Sequence, residues 1–587
     1  MQPKKMIERL SELPTMPSSV GTMGWNQTGD WRYLTPVFTD KPAPCSNACP
    51  AGIETARIEM LIAQGLFKNA WETILQENPF PGVCGRVCFH PCETACNRGE
   101  FDHAIAIHTL ERFAADMATV SGFKPHLDRL PARPERIAIV GAGPSGLAAA
   151  WFLARLGYAC DLFESTSEAG GILRWGIPLY RLPLSVLRRE VAQIEALGPI
   201  IHTGKAMDAQ TLGGLFKSHQ GVYIACGHGK TTSMRVPGET HPAVLDGLSF
   251  LANLRNGQQP SVPGVTAVIG GGNTAIDVAR SIVRLGGQAL ILYRRRVSDM
   301  PAFGDEVRMA IDEGVEIMEL VAPASIESAS DGCRVVLRRM RVTGDDGARA
   351  RVEPDNTLPR EIEVARLFMA TGAEAAEPWI EPPGLGSGSR ILDLGSCTLA
   401  QQDGAPPLVY GGDLTNEVKS VVHAVASGKQ AAMVFDTLFR EGADAVLPKL
   451  ESCRIGDGVS LSMETYMGRP RSRQSQQVVR YGDINKDYFR PTGGMTMQGL
   501  ARDKRVLNFD EIERQIPADL ATQEAARCFN CGTCNQCDNC YIFCPDFSVI
   551  HDRMSDSRQF NYDYCKGCGI CSRECPRGVI TMEDLIA

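Results

Sequence analysis

The sequence predicts an α/β protein in which two nested Rossmann-like dinucleotide-binding units stand between cysteine-rich ends. Three observations carry that reading: a glycine turn at Gly141, a second at Gly270, and cysteines crowded toward both ends of the chain. Apolar strands that run through glycine turns into helices mark a parallel sheet covered by helices. At 587 residues, the chain has room for roughly three to four domains.

In the first unit an apolar run over 137–140 reads as a buried strand, and it meets Gly141-x-Gly143-x-x-Gly146. An alanine-rich helix follows from Ser145. Gly141 permits the tight turn, Gly143 lets peptide N–H groups approach a pyrophosphate, and Gly146 lets helix and strand pack closely. The helix N-terminus turns its partial positive charge toward the phosphates. A second strand over 158–163 ends on Glu164, where an acid binds the adenosine ribose hydroxyls.

A glycine-rich, aromatic stretch over 169–181 includes Gly171, Ile172 and Arg181. It is too irregular for a helix or a strand and suits a loop lying against a planar cofactor. A strand over 221–227 fits a return toward the first nucleotide fold.

The second unit starts with a strand over 265–269 and the turn Gly270-Gly271-Gly272-Asn273-Thr274-Ala275, with a helix through Leu285. Ala275 stands where the third glycine of the fingerprint would be. The following strand ends in Tyr293-Arg294-Arg295-Arg296 where an NAD site would offer an acid. Arg294 and Arg295 can grip a 2′-phosphate, which favours NADP(H); a solvated basic turn leaves NAD(H) open. Further on, Gly411-Gly412-Asp413 ends a strand, and a helix follows from Ser420. Gly412 and Asp413 suit the polar end of a flavin beside a helix N-terminus. His423 reads as an ordinary helix residue. The first unit is thus completed after the second has been inserted.

Of the 21 cysteines, six lie between Cys45 and Cys96 and ten between Cys528 and Cys575. Such clusters suit metal better than a disulfide scaffold. Cys160, Cys226, Cys333, Cys397 and Cys453 are scattered and read as small core residues. The first cluster comprises Cys45, Cys49, Cys84, Cys88, Cys92 and Cys96, set among Gly and Pro and beside short helices expected over 54–63 and 70–75. Thiolates so spaced can hold an iron–sulfur cube, with zinc the competing occupant. The flavin-type site that follows favours iron. At the other end, Cys534-x2-Cys537-x2-Cys540-x3-Cys544-Pro is repeated as Cys565-x2-Cys568-x2-Cys571-x3-Cys575-Pro. This is the bacterial two-cluster ferredoxin spacing, in which the fourth cysteine of each run serves the other cube. Cys534, Cys537, Cys540 and Cys575 are therefore expected on one 4Fe–4S cluster, and Cys565, Cys568, Cys571 and Cys544 on the other. Cys528 and Cys531 are left over.

The expected domains are a helical iron–sulfur domain over 1–125, an FAD-binding domain over 130–262 and 373–445, and an NAD(P)H-binding domain over 263–372. A linker over 446–520, with an exposed run at 469–477, precedes an α+β ferredoxin-like domain over 521–587. A net charge of −8 and the lack of a basic, aromatic-rich stretch argue against nucleic acid. No apolar run has the length of a membrane span, and Met1-Gln2-Pro3-Lys4-Lys5 leads into no apolar signal segment, so a cytoplasmic location is expected.

Together these parts resemble the family of the glutamate synthase small subunit. That family includes the N-terminal half of dihydropyrimidine dehydrogenase and the large subunit of NADH-dependent ferredoxin:NADP oxidoreductase. The likeness covers about residues 30–445: Cys45-x3-Cys49-Pro50, Gly85-Arg86-Val87-Cys88, both glycine turns, Gly170-Gly171-Ile172-Leu173, Met300-Pro301-Ala302 and Gly411-Gly412-Asp413. The resemblance implies FAD on the first unit, NAD(P)H on the inserted one, and an N-terminal cluster held by Cys49, Cys88, Cys92 and Glu111. A second N-terminal cluster would have only Cys45, Cys84 and Cys96, because two cysteines that relatives carry before Cys45 are missing here. One or two N-terminal clusters are therefore expected beside two C-terminal ones.

A nicotinamide gives two electrons and an iron–sulfur cube takes one, so a flavin must stand between them. The expected function is an NAD(P)H:acceptor oxidoreductase, part of a hetero-oligomer, that passes electrons in either direction between NAD(P)H and ferredoxin or a partner redox enzyme subunit. No side chain is needed as a proton-transfer catalyst. The alternatives are a non-catalytic iron–sulfur docking or assembly subunit, and a glutamate synthase small subunit.

Overall fold

The computed structural model describes residues 27–345, 350–355, 359–376, 379, 389–402, 404–495, 497–552 and 557–585. The expected start of the chain, with its lysines, lies outside them. The chain forms two compact units. One comprises 42–478 with 491–528, and the other comprises 1–41, 479–490 and 529–587.

The larger unit begins with helices α1 (Pro44–Ala48), α2 (Thr55–Ala63), α3 (Phe67–Glu77), α4 (Pro81–Val87), α5 (Pro91–Thr94) and α6 (Ile107–Val120). Gly65, at φ +74°, breaks the chain between α2 and α3, as the spacing of apolar residues requires. Proline at the first position starts α1, α4 and α5, where its missing N–H goes unused.

A seven-stranded sheet follows. Its order is Ser389–Asp393, Cys397–Gln402, Leu408–Gly411, Gly221–Ile224, Arg136–Val140, Ala159–Phe163 and Ile200–His202. Five of these strands are parallel, from Leu408–Gly411 to Ile200–His202. Burial on both faces explains the unbroken apolar run from Ile137 to Val140. Between its strands the chain makes a second sheet, in the order Glu316–Glu319, Gln288–Tyr293, Val265–Ile269, Arg366–Met369 and Val244–Asp246, parallel throughout. Helix α7 (Pro144–Arg155) covers the first sheet, and helix Asn273–Arg284 covers the second. Among the described residues no helix is long and apolar enough to cross a membrane.

The stretch over 169–181 differs from the sequence expectation in one respect, for it contains the short helix Ile172–Trp175. A single turn with two flanking glycines is below the length at which periodicity can be read. The buried Arg255 fixes its backbone by donating to the carbonyls of Leu173, Arg174 and Leu182 at 2.7–2.8 Å.

The run over 469–477 also departs from expectation, because Arg471 is buried, only 4% exposed. Its guanidinium donates to Gly52 O at 2.5 Å and reaches Glu77 at 3.3 Å. Residues 453–474 form a strap against the N-terminal helices, with Ser460 Oγ on Cys49 O at 2.6 Å and Ser462 Oγ on Glu77 at 2.6 Å.

In the smaller unit, strand Leu34–Phe38 pairs antiparallel with Ile580–Asp584, and Val549–Asp552 pairs with Ser557–Phe560. Helices Asn539–Ile542 and Ile570–Arg573 carry cysteines of the two runs. Phe489 packs on Phe529 with ring centroids 4.4 Å apart, tying residues 479–490 into this unit.

Candidate functional site

The first glycine turn has the geometry its sequence demands. Gly141 sits at φ +103°, and a β-carbon there would lie 2.5 Å from Ala225 O. At Gly146 it would lie 2.0 Å from Gly141 O, so only glycine lets α7 approach the strand. Around Gly143 the nearest atom to such a carbon is 3.9 Å away. Gly143 therefore leaves open space at the N-terminus of α7, a cradle of the kind that admits a pyrophosphate. Glu164 is buried beside it, and its carboxylate accepts from Ala142 N at 3.0 Å and Thr166 N at 2.8 Å.

The residues that complete the first unit return to the same turn. Gly412, at φ +70°, places its Cα against Ser145, where a β-carbon would lie 3.1 Å from Ser145 Cβ. Its N–H donates to Ser427 Oγ at 2.7 Å. Tyr223 OH then bridges Ser427 Oγ at 3.1 Å and Ser145 Oγ at 2.6 Å. At Gly428 a β-carbon would meet Ser145 O at 2.2 Å, so helix Val421–Glu441 crosses α7 in backbone contact. Burial raises the Asp413 carboxyl above its ordinary range, with Lys419 and His228 opposing. Gly171 adjoins Gly143 Cα, whereas Ile172 is half exposed.

Arg181 stands apart from this group. Its guanidinium is held by Asp277 at 2.8 and 3.0 Å and by Glu306 at 3.1 Å. These acids outweigh burial and keep it charged. Nothing in the local sequence of Arg181 names partners about a hundred residues away.

The inserted turn repeats the pattern. Gly270 lies at φ +137°, and a β-carbon there would be 2.2 Å from Ala370 O. Gly272 has nothing within 4 Å of that position and opens a second cradle at the N-terminus of helix Asn273–Arg284. Ala275 is fully buried, and Asn273 Oδ1 accepts from Phe303 N at 3.0 Å. Thr274 follows in the first turn of that helix. Of the three arginines after the strand, Arg294 is exposed and Arg295 donates through Nε to Ala350 O at 2.8 Å. Arg296 is forked onto Asp299 at 2.8 and 3.0 Å.

In the N-terminal helices, Cys49, Cys88, Cys92 and Glu111 lie close enough to feel one another's charge. Burial pushes the Cys49 thiol up to about 11, with Glu111 adding to it. Burial likewise pushes the Glu111 carboxyl up to about 8. Peptide N–H groups of Ile53 and Ala51 point at the Cys49 sulfur, and those of His90 and Phe89 at Cys88. Buried acids and thiols sharing one spot, with amides facing the sulfurs, fit an iron–sulfur cluster whose positive iron would hold them ionised. Cys84 on α4 is buried too, and its charged neighbours are Cys88, Glu111 and Glu190.

Sequence reasoning missed the support beneath Cys49. Lys429 and Glu77, both buried, pair at 2.6 Å, and Lys429 also donates to Ala51 O at 2.5 Å. Lys429 and Arg471 outweigh the burial of Glu77 and hold its carboxyl below the usual range.

The smaller unit gathers the C-terminal cysteines into two sets. One cavity is lined by Cys534, Cys537, Cys540 and Cys575, and a second by Cys544, Cys565, Cys568 and Cys571. Each run lends its fourth cysteine to the other set, and the thiol chemistry of both fits a 4Fe–4S cluster.

Two glycine turns that open cradles at helix N-termini, joined in one chain to thiol-lined cavities, define a flavoprotein reductase with iron–sulfur clusters. Known proteins agree. A model for pyridine nucleotide-disulphide oxidoreductases matches residues 135–428, one for dihydropyrimidine dehydrogenase domain II (4Fe-4S cluster) matches 39–123, and a 4Fe-4S binding domain matches 558–581. The NADP(+)-dependent formate dehydrogenase subunit beta of Moorella thermoacetica is 34% identical over 82% of this chain and 73% of its own. The NADPH-Fe(3+) oxidoreductase subunit beta of Geobacter sulfurreducens is 36% identical over 56% of this chain, which spans only about half (49%) of that relative. The NAD-dependent dihydropyrimidine dehydrogenase subunit PreT of Escherichia coli is 31% identical over 68% of this chain and 95% of its own. The chain belongs to the pyridine nucleotide-disulphide oxidoreductase family, as an FAD-dependent NAD(P)H oxidoreductase that carries 4Fe–4S clusters.

Replacing Glu164 by Ala removes the acceptor that the glycine fingerprint leads one to expect on the ribose hydroxyls. FAD should then bind about 10- to 100-fold more weakly, the scale of hydrogen bonds to a charged group. Flavin released during gel filtration of the two proteins measures it.

Proposed function

We propose that this chain oxidises NADPH and delivers single electrons through its C-terminal cluster pair to a partner redox enzyme subunit, or runs the same path in reverse. The observation that carries this is the pair of four-cysteine cavities appended to a complete two-nucleotide flavin unit. The names of the Moorella and Geobacter relatives, each a beta subunit using NADP(+) or NADPH, support both the coenzyme and the role within a larger assembly.

FAD, when bound, supplies the step from paired to single electrons. The chain's own residues do the rest. Gly143 and the N-terminus of α7 receive the FAD pyrophosphate, Glu164 the ribose, and Gly412 with Asp413 the far end of the flavin. Gly270 and Gly272, with Asn273, Thr274 and Ala275, shape the cradle for the coenzyme pyrophosphate. Arg294 and Arg295 recognise the 2′-phosphate. Cys49, Cys88, Cys92 and Glu111 hold the N-terminal cluster. Both cradles are intact, which speaks against a role limited to docking, and the appended cysteine runs speak against a glutamate synthase small subunit.

The test begins with coenzyme choice. Substituting Arg294 and Arg295 together by Ser should raise KM for NADPH about 10- to 100-fold and leave KM for NADH within about twofold. Substituting Arg296, already forked onto Asp299, should change neither. Equal losses with both coenzymes would make the pair a solvated turn. Failure of either coenzyme to bleach the flavin anaerobically would overturn the reading as a whole.

A further inference from the structure

The helix Ala518–Ala526 is clamped onto the loop that follows Cys96. Glu524 accepts from Ala106 N at 3.1 Å, and Arg98 Nη1 donates to Arg527 O at 2.8 Å. Arg527 in turn reaches His103 O at 2.8 Å and shares Asp102 with Arg98. Arg527 O belongs to the peptide that joins Arg527 to Cys528, so these bonds bring Cys528 beside the Cys96 loop although 432 residues separate the two in sequence. The Cys96 sulfur sits among the peptide N–H groups of Arg98, Gly99 and Ile105. That is a nest suited to a thiolate. From the other side, α1, which carries Cys45, packs on α5, which leads into Cys96.

A second observation points to the same place. Glu59 on α2 is fully buried, and neither of its carboxylate oxygens has a hydrogen-bond partner. Its charge is felt at Cys96, and Glu524 and Glu111 are its acidic neighbours. Glu524 is already paired with Arg527 at 2.7 Å, so it is Glu59, a buried acid with no partner beside a caged thiol, that calls for a positive centre there.

We infer that Cys528 is a metal-ligating thiolate that joins Cys96 and Cys45 on a second N-terminal iron–sulfur cluster, distinct from that of Cys49, Cys88, Cys92 and Glu111. Cys528 thereby supplies from the far end of the chain one of the two thiols that residues 36–44 lack. It also takes the place expected of Cys84, whose charged neighbours are Cys88, Glu111 and Glu190 rather than Cys96. The inference rests on the iron–sulfur reading of the N-terminal helices.

The experiment uses the full chain, produced anaerobically, as unaltered protein, Cys528→Ser, Cys96→Ser, the double variant and Cys84→Ser. Iron and acid-labile sulfide per chain are measured beside low-temperature EPR spectra after dithionite reduction, with FAD content as the check on folding. Cys528→Ser and Cys96→Ser should each lose about four iron atoms and the same EPR signal, the double variant should lose no more, and Cys84→Ser should keep both. Full iron in Cys528→Ser, or loss of a signal different from the one lost in Cys96→Ser, would overturn the assignment. If serine loses FAD as well, Cys528→Ala and the reconstitution of iron into the flavin-loaded chain decide on the same signal. NADPH bleaching of the flavin, recorded in parallel, reports the oxidoreductase reading separately.

Discussion

Substituting Cys540 and Cys571 together by Ala should leave FAD reduction by NADPH within about twofold, while electron delivery to the partner falls at least about 100-fold. Each of these cysteines lines a different C-terminal cavity. Burial pushes each thiol up to about 12, so only bound iron keeps them as thiolates, and each cluster needs its four ligands. Stopped-flow absorbance of the flavin beside reduction of the native partner measures both rates, and an artificial dye that meets the flavin directly should still be reduced. Unchanged partner reduction would route the exit through the cysteines around Cys88. Cutting the chain near Ser475 is a poorer test, because residues 491–528 belong to the larger unit and would be lost with the cavities.

Glu77→Ala should destabilise the larger unit by roughly 3–5 kcal/mol, the scale for breaking a buried ion pair from one side. Glu77 accepts from Lys429, Arg471, Ser462 Oγ, Met463 N and Glu464 N. Its removal leaves two buried cations facing each other without an anion. The midpoint of urea unfolding, followed by flavin fluorescence, should drop accordingly, and Glu77→Gln, which keeps an acceptor, should drop it less. A midpoint unmoved by Glu77→Ala would mean that the strap and helix hold together without this pair.

These two predictions mark where the sequence could be read and where it could not. The glycine turns are legible because their demand is local: Gly146 must lie against Gly141 O, five residues away, whatever the rest of the chain does. The crossed cysteine sets are legible because ligand spacing is itself a chain property. Arg471 is not, since its run Arg469–Gln477 has the polarity of an exposed segment and its burial is decided by Glu77, 394 residues earlier. Arg181 shows the same limit, for the loop that carries it is aromatic and glycine-rich while Asp277 and Glu306 claim its charge. The short helix Ile172–Trp175 escapes because its glycines look like loop, and Arg255 supplies the fixing bonds from outside.

Helix Val421–Glu441 touches both redox regions: its N-terminal cap Ser420 follows Asp413, and Lys429 holds the Cys49 turn through Ala51 O. The nine residue steps from Ser420 to Lys429 span about 14 Å of α-helix, so one rigid rod sets the separation between the turn that ends the first nucleotide unit and the turn that carries Cys49. The count from Ser420 to Lys429 is therefore a dimension of the machine. A single residue inserted there would swing Lys429 about 100° around the axis, away from Glu77. Evolution can lengthen a surface loop of such a protein freely, but this stretch behaves as a gauge that admits substitution and refuses a change of length.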